Sequence, residues 1–235
     1  MDFSGKTVIV TGGSGAIGAV VVRRFIKAGA LTVVADRLPP RSKDIDALGD
    51  LGTQLRYHET DMLDEPSVRD LFEVASTHGG PHVLVNVVGG FRFGPAVEEM
   101  EESDWDDMLQ LNLKSAFLAI KTALPYMKRQ GYGRIVSVAA RSGLKGDRMV
   151  AHYSVSKGGV ILLTQAVADE VRDYDITVNA VLPSIVDTPA NREAMPDAKA
   201  ERWVQPDDLA SVMLFLASEG ARAVSGAAMP VYYKA

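Results

Sequence analysis

Short apolar runs rich in Val and Ile alternate along this chain with longer stretches whose apolar residues recur every three to four positions. Lys6-Thr7-Val8-Ile9-Val10-Thr11 and Leu31-Thr32-Val33-Val34-Ala35 are of the first kind. Continuous β-branched runs of that length suit parallel strands buried on both faces. The stretch from Ala19 to Ala28, stopped by Gly29, has the helical pattern. The alternation predicts strands near 6–11, 31–35, 54–59, 82–86, 133–139, 176–181 and 227–231. It predicts helices near 16–28, 65–78, 104–130, 150–173 and 207–218, the last opened by Pro206-Asp207-Asp208. Leu38 to Asp50 is polar, holds Pro39-Pro40 and reads as a surface loop. Strands separated by helical crossovers, with no linker, imply one α/β domain over 1–235, a doubly wound, mainly parallel seven-stranded sheet flanked by helices.

The segment after the first strand turns a fold class into a candidate site. Gly12-Gly13-Ser14-Gly15-Ala16-Ile17-Gly18 leads into the first helix, and the second strand ends in Asp36. Glycines let a backbone turn tightly and approach a pyrophosphate, and a helix N-terminus offers unpaired N–H groups and a positive dipole end. An acid about twenty residues further on can accept hydrogen bonds from a ribose diol. Strand, glycines, helix, strand and acid in that order mark a Rossmann-type dinucleotide site. Asp36 would repel a 2′-phosphate, so NAD(H) is expected over NADP(H). Arg37 is the one neighbour that could hold such a phosphate.

A second pattern supplies chemistry. In Tyr153-Ser154-Val155-Ser156-Lys157 the Tyr and Lys are four apart, one helical turn from each other on the same face. A phenol is a poor acid or base at neutral pH, and a nearby ammonium lowers its pKa. A group poised closer to working pH transfers protons better.

Together these stretches resemble the short-chain dehydrogenase/reductase family from Gly5 to about Tyr232. Thr11-Gly12-Gly13-Ser14-Gly15-Ala16-Ile17-Gly18 is similar to its N-terminal signature. Thr60-Asp61-Met62 resembles its adenine-contacting segment, and Asn86-Val87-Val88-Gly89 is a degenerate form of its Asn-Asn-Ala-Gly. Asn112 in Leu111-Asn112-Leu113 matches the active-site Asn. Pro183-Ser184-Ile185-Val186-Asp187-Thr188 resembles the segment that touches the nicotinamide carboxamide, with Ser184 in place of its Gly. The resemblance implies that Tyr153 is the general acid/base. It implies that Lys157 lowers its pKa and holds the ribose, and that Asn112 orders a water in the proton path. The cofactor contacts it implies are Gly12, Ser14, Ala16, Ile17, Gly18, Asp36, Arg37, Asp61, Met62, Asn86, Val88, Gly89, Tyr153, Lys157, Pro183, Val186 and Thr188. Those at strand ends converge on one crevice at the carboxyl edge of the sheet.

One departure is large. The family usually carries a Ser thirteen residues before the Tyr, and here that position is Ala140. A methyl group cannot hydrogen-bond a substrate carbonyl. Ser137 should face the opposite side of the strand. Ser142 reaches the right side if the strand runs on. His152 points about 100° away from Tyr153 on the helix and reads as a surface residue. Walls for the substrate are expected from Phe91, Phe93, Met149, Val150, Met195 and Trp203, the last two in a short lid near 188–203. Arg92, Arg141 and Lys145 are candidates for an anionic substrate group but read more simply as solvated.

Composition narrows the class without naming a substrate. A net charge of −5 with no basic block gives no sign of nucleic acid or of an anionic membrane surface. The absence of Cys excludes disulfides and thiolate chemistry, and no metal site is expected. Entry straight into a strand, with no apolar run of membrane-spanning length, suggests a cytoplasmic enzyme. The expected activity is NAD(H)-dependent interconversion of a carbonyl, or an activated C=N or quinonoid group, with its alcohol or amine. Alternatives on the same scaffold are a cofactor-binding protein that has lost redox activity and an enzyme of non-redox chemistry. Leu111, Leu113, Phe117, Leu118, Ile120 and Leu124 exceed what one sheet face needs. In relatives of this kind the corresponding helices pair across a two-fold axis, so a homotetramer or homodimer is expected.

Overall fold

A computed structural model of the protein describes residues 1–46 and 49–234. Seven strands form one sheet: β1 (Thr7–Thr11), β2 (Leu31–Asp36), β3 (Leu55–Glu59), β4 (Val83–Asn86), β5 (Gly133–Val138), β6 (Ile176–Pro183) and β7 (Ala228–Val231). Their spatial order is β3-β2-β1-β4-β5-β6-β7 and every neighbouring pair is parallel. The order reverses between β1 and β4, where Thr11 pairs with Asn86. Such a reversal opens a crevice at the carboxyl edge.

Eight α-helices, among the described residues, cover the two faces: α1 (Ala16–Lys27), α2 (Ser42–Asp46), α3 (Glu65–Thr77), α4 (Glu102–Leu109), α5 (Ser115–Gln130), α6 (Ala151–Glu170), α7 (Pro189–Ala194) and α8 (Pro206–Ala217). On one face Val21, Val22 and Phe25 of α1 and Leu209, Met213 and Leu216 of α8 pack on Val8, Val10 and Val34. On the other, Leu71 and Phe72 of α3, Ile120 and Met127 of α5 and Val167 of α6 pack on Ile9, Val33 and Ile135. Alternate residues of β1 therefore serve opposite faces, as the pleat requires. Truncating a core aromatic such as Phe25, edge-on to Phe3 at 4.9 Å, should cost about 3–5 kcal/mol.

Local chemistry sets the ends. Asp64 caps α3 by accepting from the Ser67 N–H at 3.1 Å. Pro206 occupies the first turn of α8. Gly131, at φ 71°, ends α5 in the left-handed conformation.

Two elements differ from expectation. The helix expected over 104–130 contains a π-helical turn, Gln110–Lys114, that divides α4 from α5 and carries Asn112. Such a bulge inserts a residue within a continuous helix, so no break in the sequence marks it. The loop expected over 38–50 holds the short helix α2 and a 3₁₀ turn starting at Gly49; Ala47 and Leu48 lie outside the described residues.

Candidate active site

The β1–α1 turn is built for close approach. Gly12 has φ 68°, and a Cβ there would stand 2.9 Å from the Val88 amide nitrogen. A Cβ on Gly18 would run into the Gly12 carbonyl. The Thr11 hydroxyl accepts from the amides of Val87 at 3.2 Å and Val88 at 3.4 Å, tying the ends of β1 and β4 together. Gly15 begins α1 without a side-chain cap, so the first-turn amides of Ala16, Ile17 and Gly18 remain for an anion. Asp36 stands at the far side of this turn. Its carboxylate accepts from Ser14 N–H at 3.1 Å and from Arg37 N–H at 2.8 Å. These residues fit a dinucleotide: a side chain at Gly12 or Gly18 would fill the cradle, and the carboxylate stands where a ribose diol would lie.

Arg37 turns toward Asp61, with Nη2 at 3.0 and 2.9 Å from its two carboxylate oxygens. The Leu63 N–H first, and then Arg37, hold the Asp61 carboxyl below the usual carboxylate range. The side chains of Met62 and Val186 are buried in the core, so each faces the crevice with its backbone alone. Thr188 is buried and caps α7, its hydroxyl accepting from Asn191 N–H at 3.3 Å. Asn86 is buried and donates to Ser137 at 3.1 Å.

Helix α6 carries Tyr153 and Lys157 to the carboxyl edge. Lys157 is 4% exposed, and its ammonium donates to the Val138 carbonyl at 2.9 Å, at the last residue of β5. Asn112 is clamped on three sides. Its Oδ1 accepts from Gly90 N–H at 2.9 Å, and its Nδ2 donates to Gly90 O at 3.1 Å and to Ser156 Oγ at 3.0 Å. Ser156 in turn donates to the Tyr153 carbonyl at 2.8 Å. Asn112 and Lys157 converge on Gly89, where a Cβ would lie 2.7 Å from Asn112 Oδ1 and 2.9 Å from Lys157 Nζ.

The protonation picture differs from the one expected. Burial pushes the Tyr153 phenol up to about 12 and the Lys157 ammonium down to about 8. Lys157 Nζ is 6.0 Å from the Tyr153 ring centroid and engaged with Val138. Desolvation, which penalises both charged forms, therefore outweighs their mutual attraction.

Position 140 offers no donor, and its neighbours do not replace one. Strand β5 ends at Val138, and Arg141–Gly143 is a 3₁₀ turn. The strand therefore does not run on to Ser142. Ser137 is fully buried and engaged with Asn86. His152 is not a surface residue: it is 0% exposed, and neither ring nitrogen has a protein partner. It packs under the loop after β4, where a Cβ on Gly94 would stand 3.1 Å from His152 Cε1. It faces that loop rather than Ala140.

The expected walls divide into two groups. Phe91 meets the Tyr153 ring edge-on at 4.9 Å, and Phe93 meets Phe91 in the same way at 4.9 Å. Trp203 and Val150 are buried instead. Helix α7, in the expected lid segment, is tied down by Arg192, which bonds both carboxylate oxygens of Asp187 at 2.6 and 2.8 Å. Arg92 bonds Asp104 at 2.6 Å. Ser156 and the Phe91–Tyr153 contact went unread in the sequence. Ser156 lies three residues after Tyr153, one turn on, but a Ser on a helix has nothing to distinguish it from a solvated one.

A family model described as short chain dehydrogenase matches residues 6–199. This chain belongs to that family. It is 31% identical to the D-beta-hydroxybutyrate dehydrogenase of Rhizobium meliloti, over 94% of this chain and 95% of that protein. A short-chain type dehydrogenase/reductase from Mycobacterium ulcerans superposes with TM-score 0.93 at 25% identity, covering 100% of this chain and 90% of the other. An actinorhodin polyketide ketoreductase solved with NADPH superposes with TM-score 0.87 at 30% identity, covering 97% and 96%. Short-chain dehydrogenases of this kind are carbonyl/alcohol oxidoreductases that bind nicotinamide cofactors, act on small molecules and commonly oligomerise. Among the described residues no helix is long and apolar enough to cross a membrane.

Proposed function

We propose that this short-chain dehydrogenase is an NAD(H)-dependent enzyme that interconverts a carbonyl and its alcohol, with Tyr153 as the general acid/base. The observation that carries this reading is the convergence of Lys157 and Asn112 on Gly89, between the glycine turn and Tyr153. NADH, which the glycine turn, Asp36 and Lys157 would hold, would supply the hydride to the carbonyl carbon. Tyr153, which burial keeps protonated, gives its phenolic proton to the carbonyl oxygen and so completes the alcohol. Lys157 would hold the ribose hydroxyls, and its charge would steady the phenolate left on Tyr153. Asn112 has its side chain committed to Gly90 and Ser156, so its backbone carbonyl, in the π-turn, is the group left to order a water in the proton path. Ala140 adds no donor to the developing oxyanion, so Tyr153 bears that task alone. Lack of one such donor costs about 10²–10³ in rate, which favours carbonyls that are already activated.

Two carboxylates, Asp36 and Asp61, flank Arg37. That arrangement supports NAD(H) over NADP(H), because the guanidinium is already paired with Asp61 and the Asp36 carboxylate would repel a 2′-phosphate. NADH should bind at least about 10-fold more tightly than NADPH, and Asp36→Ala should narrow the gap; equal affinities by fluorescence titration would sink the preference. Tyr153→Phe should lower turnover by about 10²–10⁴, the usual contribution of a general acid, with NADH affinity nearly unchanged. Full activity in that variant would move the weight to a cofactor-binding protein.

A further inference from the structure

We infer that the carbonyl substrate is an aromatic ketone or quinone, selected by a ring surface that Phe91 and Phe93 build beside Tyr153. The inference rests on the carbonyl/alcohol reading above. Phe91 stands with its ring centroid 4.9 Å from that of Tyr153 at 87°, so an aromatic edge adjoins the proton donor itself. Phe93 continues the surface at 84° to Phe91. The two remain 52% and 67% exposed, a large apolar area to leave in water at the mouth of a reaction site. An aromatic substrate would cover it, adding edge-to-face or offset contacts to the apolar burial.

The surface is held rather than loose. Gly90 is clamped by Asn112. Gly94 N–H donates to the Met149 carbonyl at 2.8 Å. His152 packs beneath Gly94, where a Cβ would stand tightly at 3.1 Å from its Cε1. Met149, part-exposed and left-handed at φ 64°, supplies the carbonyl that accepts the Gly94 N–H. Of the cations around the site, Arg92 is paired with Asp104 and Arg192 with Asp187, whereas Arg141 lies over the Tyr232 ring at 5.7 Å. A small keto acid would find aromatic faces beside Tyr153 and no free guanidinium from Arg92 or Arg192. A quinone also tolerates the missing donor at Ala140, because its second carbonyl withdraws electrons and makes the first more electrophilic.

The test pairs kinetics with direct binding, on the full-length protein. With NADH, phenanthrenequinone and acetylnaphthalene should show kcat/KM at least about 100-fold above acetoacetate and butanone, a ratio well within what pocket contacts achieve. With NAD+, acetylnaphthalene cannot turn over, and calorimetric titration reads its dissociation constant alone. Phe91→Ala and Phe93→Ala should each weaken that constant by about 10-fold and shrink the aromatic preference. Phe91→Leu, which keeps apolar volume, should do so as well and guards against a folding defect. Preference for acetoacetate, or variants that leave both constant and ratio unchanged, would overturn the inference while the oxidoreductase reading stands. Binding of acetylnaphthalene with no carbonyl reduced would support the ring surface and overturn the redox reading. Absence of both binding and turnover would overturn both.

Discussion

Lys157 and Tyr153 stand out because burial moves both away from the charged form. The ammonium falls from 10.5 to about 8, and at about 1.4 kcal/mol per unit this costs the folded protein roughly 3 kcal/mol at neutral pH. Losing the Val138 hydrogen bond returns about 1 kcal/mol. Lys157→Met should therefore stabilise the cofactor-free protein by about 2 kcal/mol at pH 7, or roughly 4–8 °C in Tm, while losing dinucleotide binding. The sign with pH comes from the depressed value. Between pH 8 and 10.5 the unfolded chain binds the proton and the folded one does not, so the wild type gains stability as pH rises through this window. The advantage of the Met variant should shrink over the same range, which thermal melts at pH 7, 9 and 10.5 would show. Melts that keep a constant difference would mean that the ammonium is not desolvated. Tyr153 runs the other way. Its raised value means that above pH 10 the unfolded phenol ionises while the folded one resists, and stability is lost.

At the scale of elements, the junction before α6 carries the strain. Met149 is left-handed at φ 64°, which costs an ordinary side chain about 1 kcal/mol or more. Its carbonyl must face Gly94 to hold the loop after β4. Asn tolerates this conformation, so Met149→Asn should raise stability by about 0.5–1 kcal/mol, measured by urea denaturation with an unchanged m-value. A loss instead would mean that the Met side chain packs more strongly than its backbone strains. The strands and the main helices could be read from Val/Ile runs and apolar period because both faces of the sheet are covered. Val8 and Ile9 point to opposite cores and must both be apolar. The glycine turn and the Tyr-Lys spacing were legible for a similar reason, since few other residues satisfy their geometry. What stayed hidden depends on partners far away in sequence. The burial of His152 comes from a loop nearly sixty residues upstream. The pairing of Arg37 with Asp61 bridges two strands. The π-turn at Asn112 leaves no compositional trace.

At the scale of the molecule, the outer face of α5 and α6 leaves Phe117, Val155 and Leu162 exposed. A groove of about 430 Å³ lined by Leu109, Leu113, Phe117 and Leu163 runs beside them. A second copy turned about a two-fold axis would set the same face against itself, the isologous arrangement common among oligomers. A dimer or tetramer is therefore expected by light scattering at micromolar concentration, and Phe117→Asp should shift it toward monomer. A monomeric wild type would end this expectation.

The order of strands in the sheet also governs when the protein becomes useful. Thr11 pairs on one side with Ala35 and on the other with Asn86, far along the chain, and the site draws on residues from Gly12 to Thr188. A ribosome adding about 5–20 residues per second needs on the order of ten seconds or more to deliver them all. Until Asn86 emerges the nascent chain presents β1 with an open edge where β4 belongs. Reactivity thus arrives in one step, late in synthesis, and its appearance in a translation reaction would time the closing of the sheet.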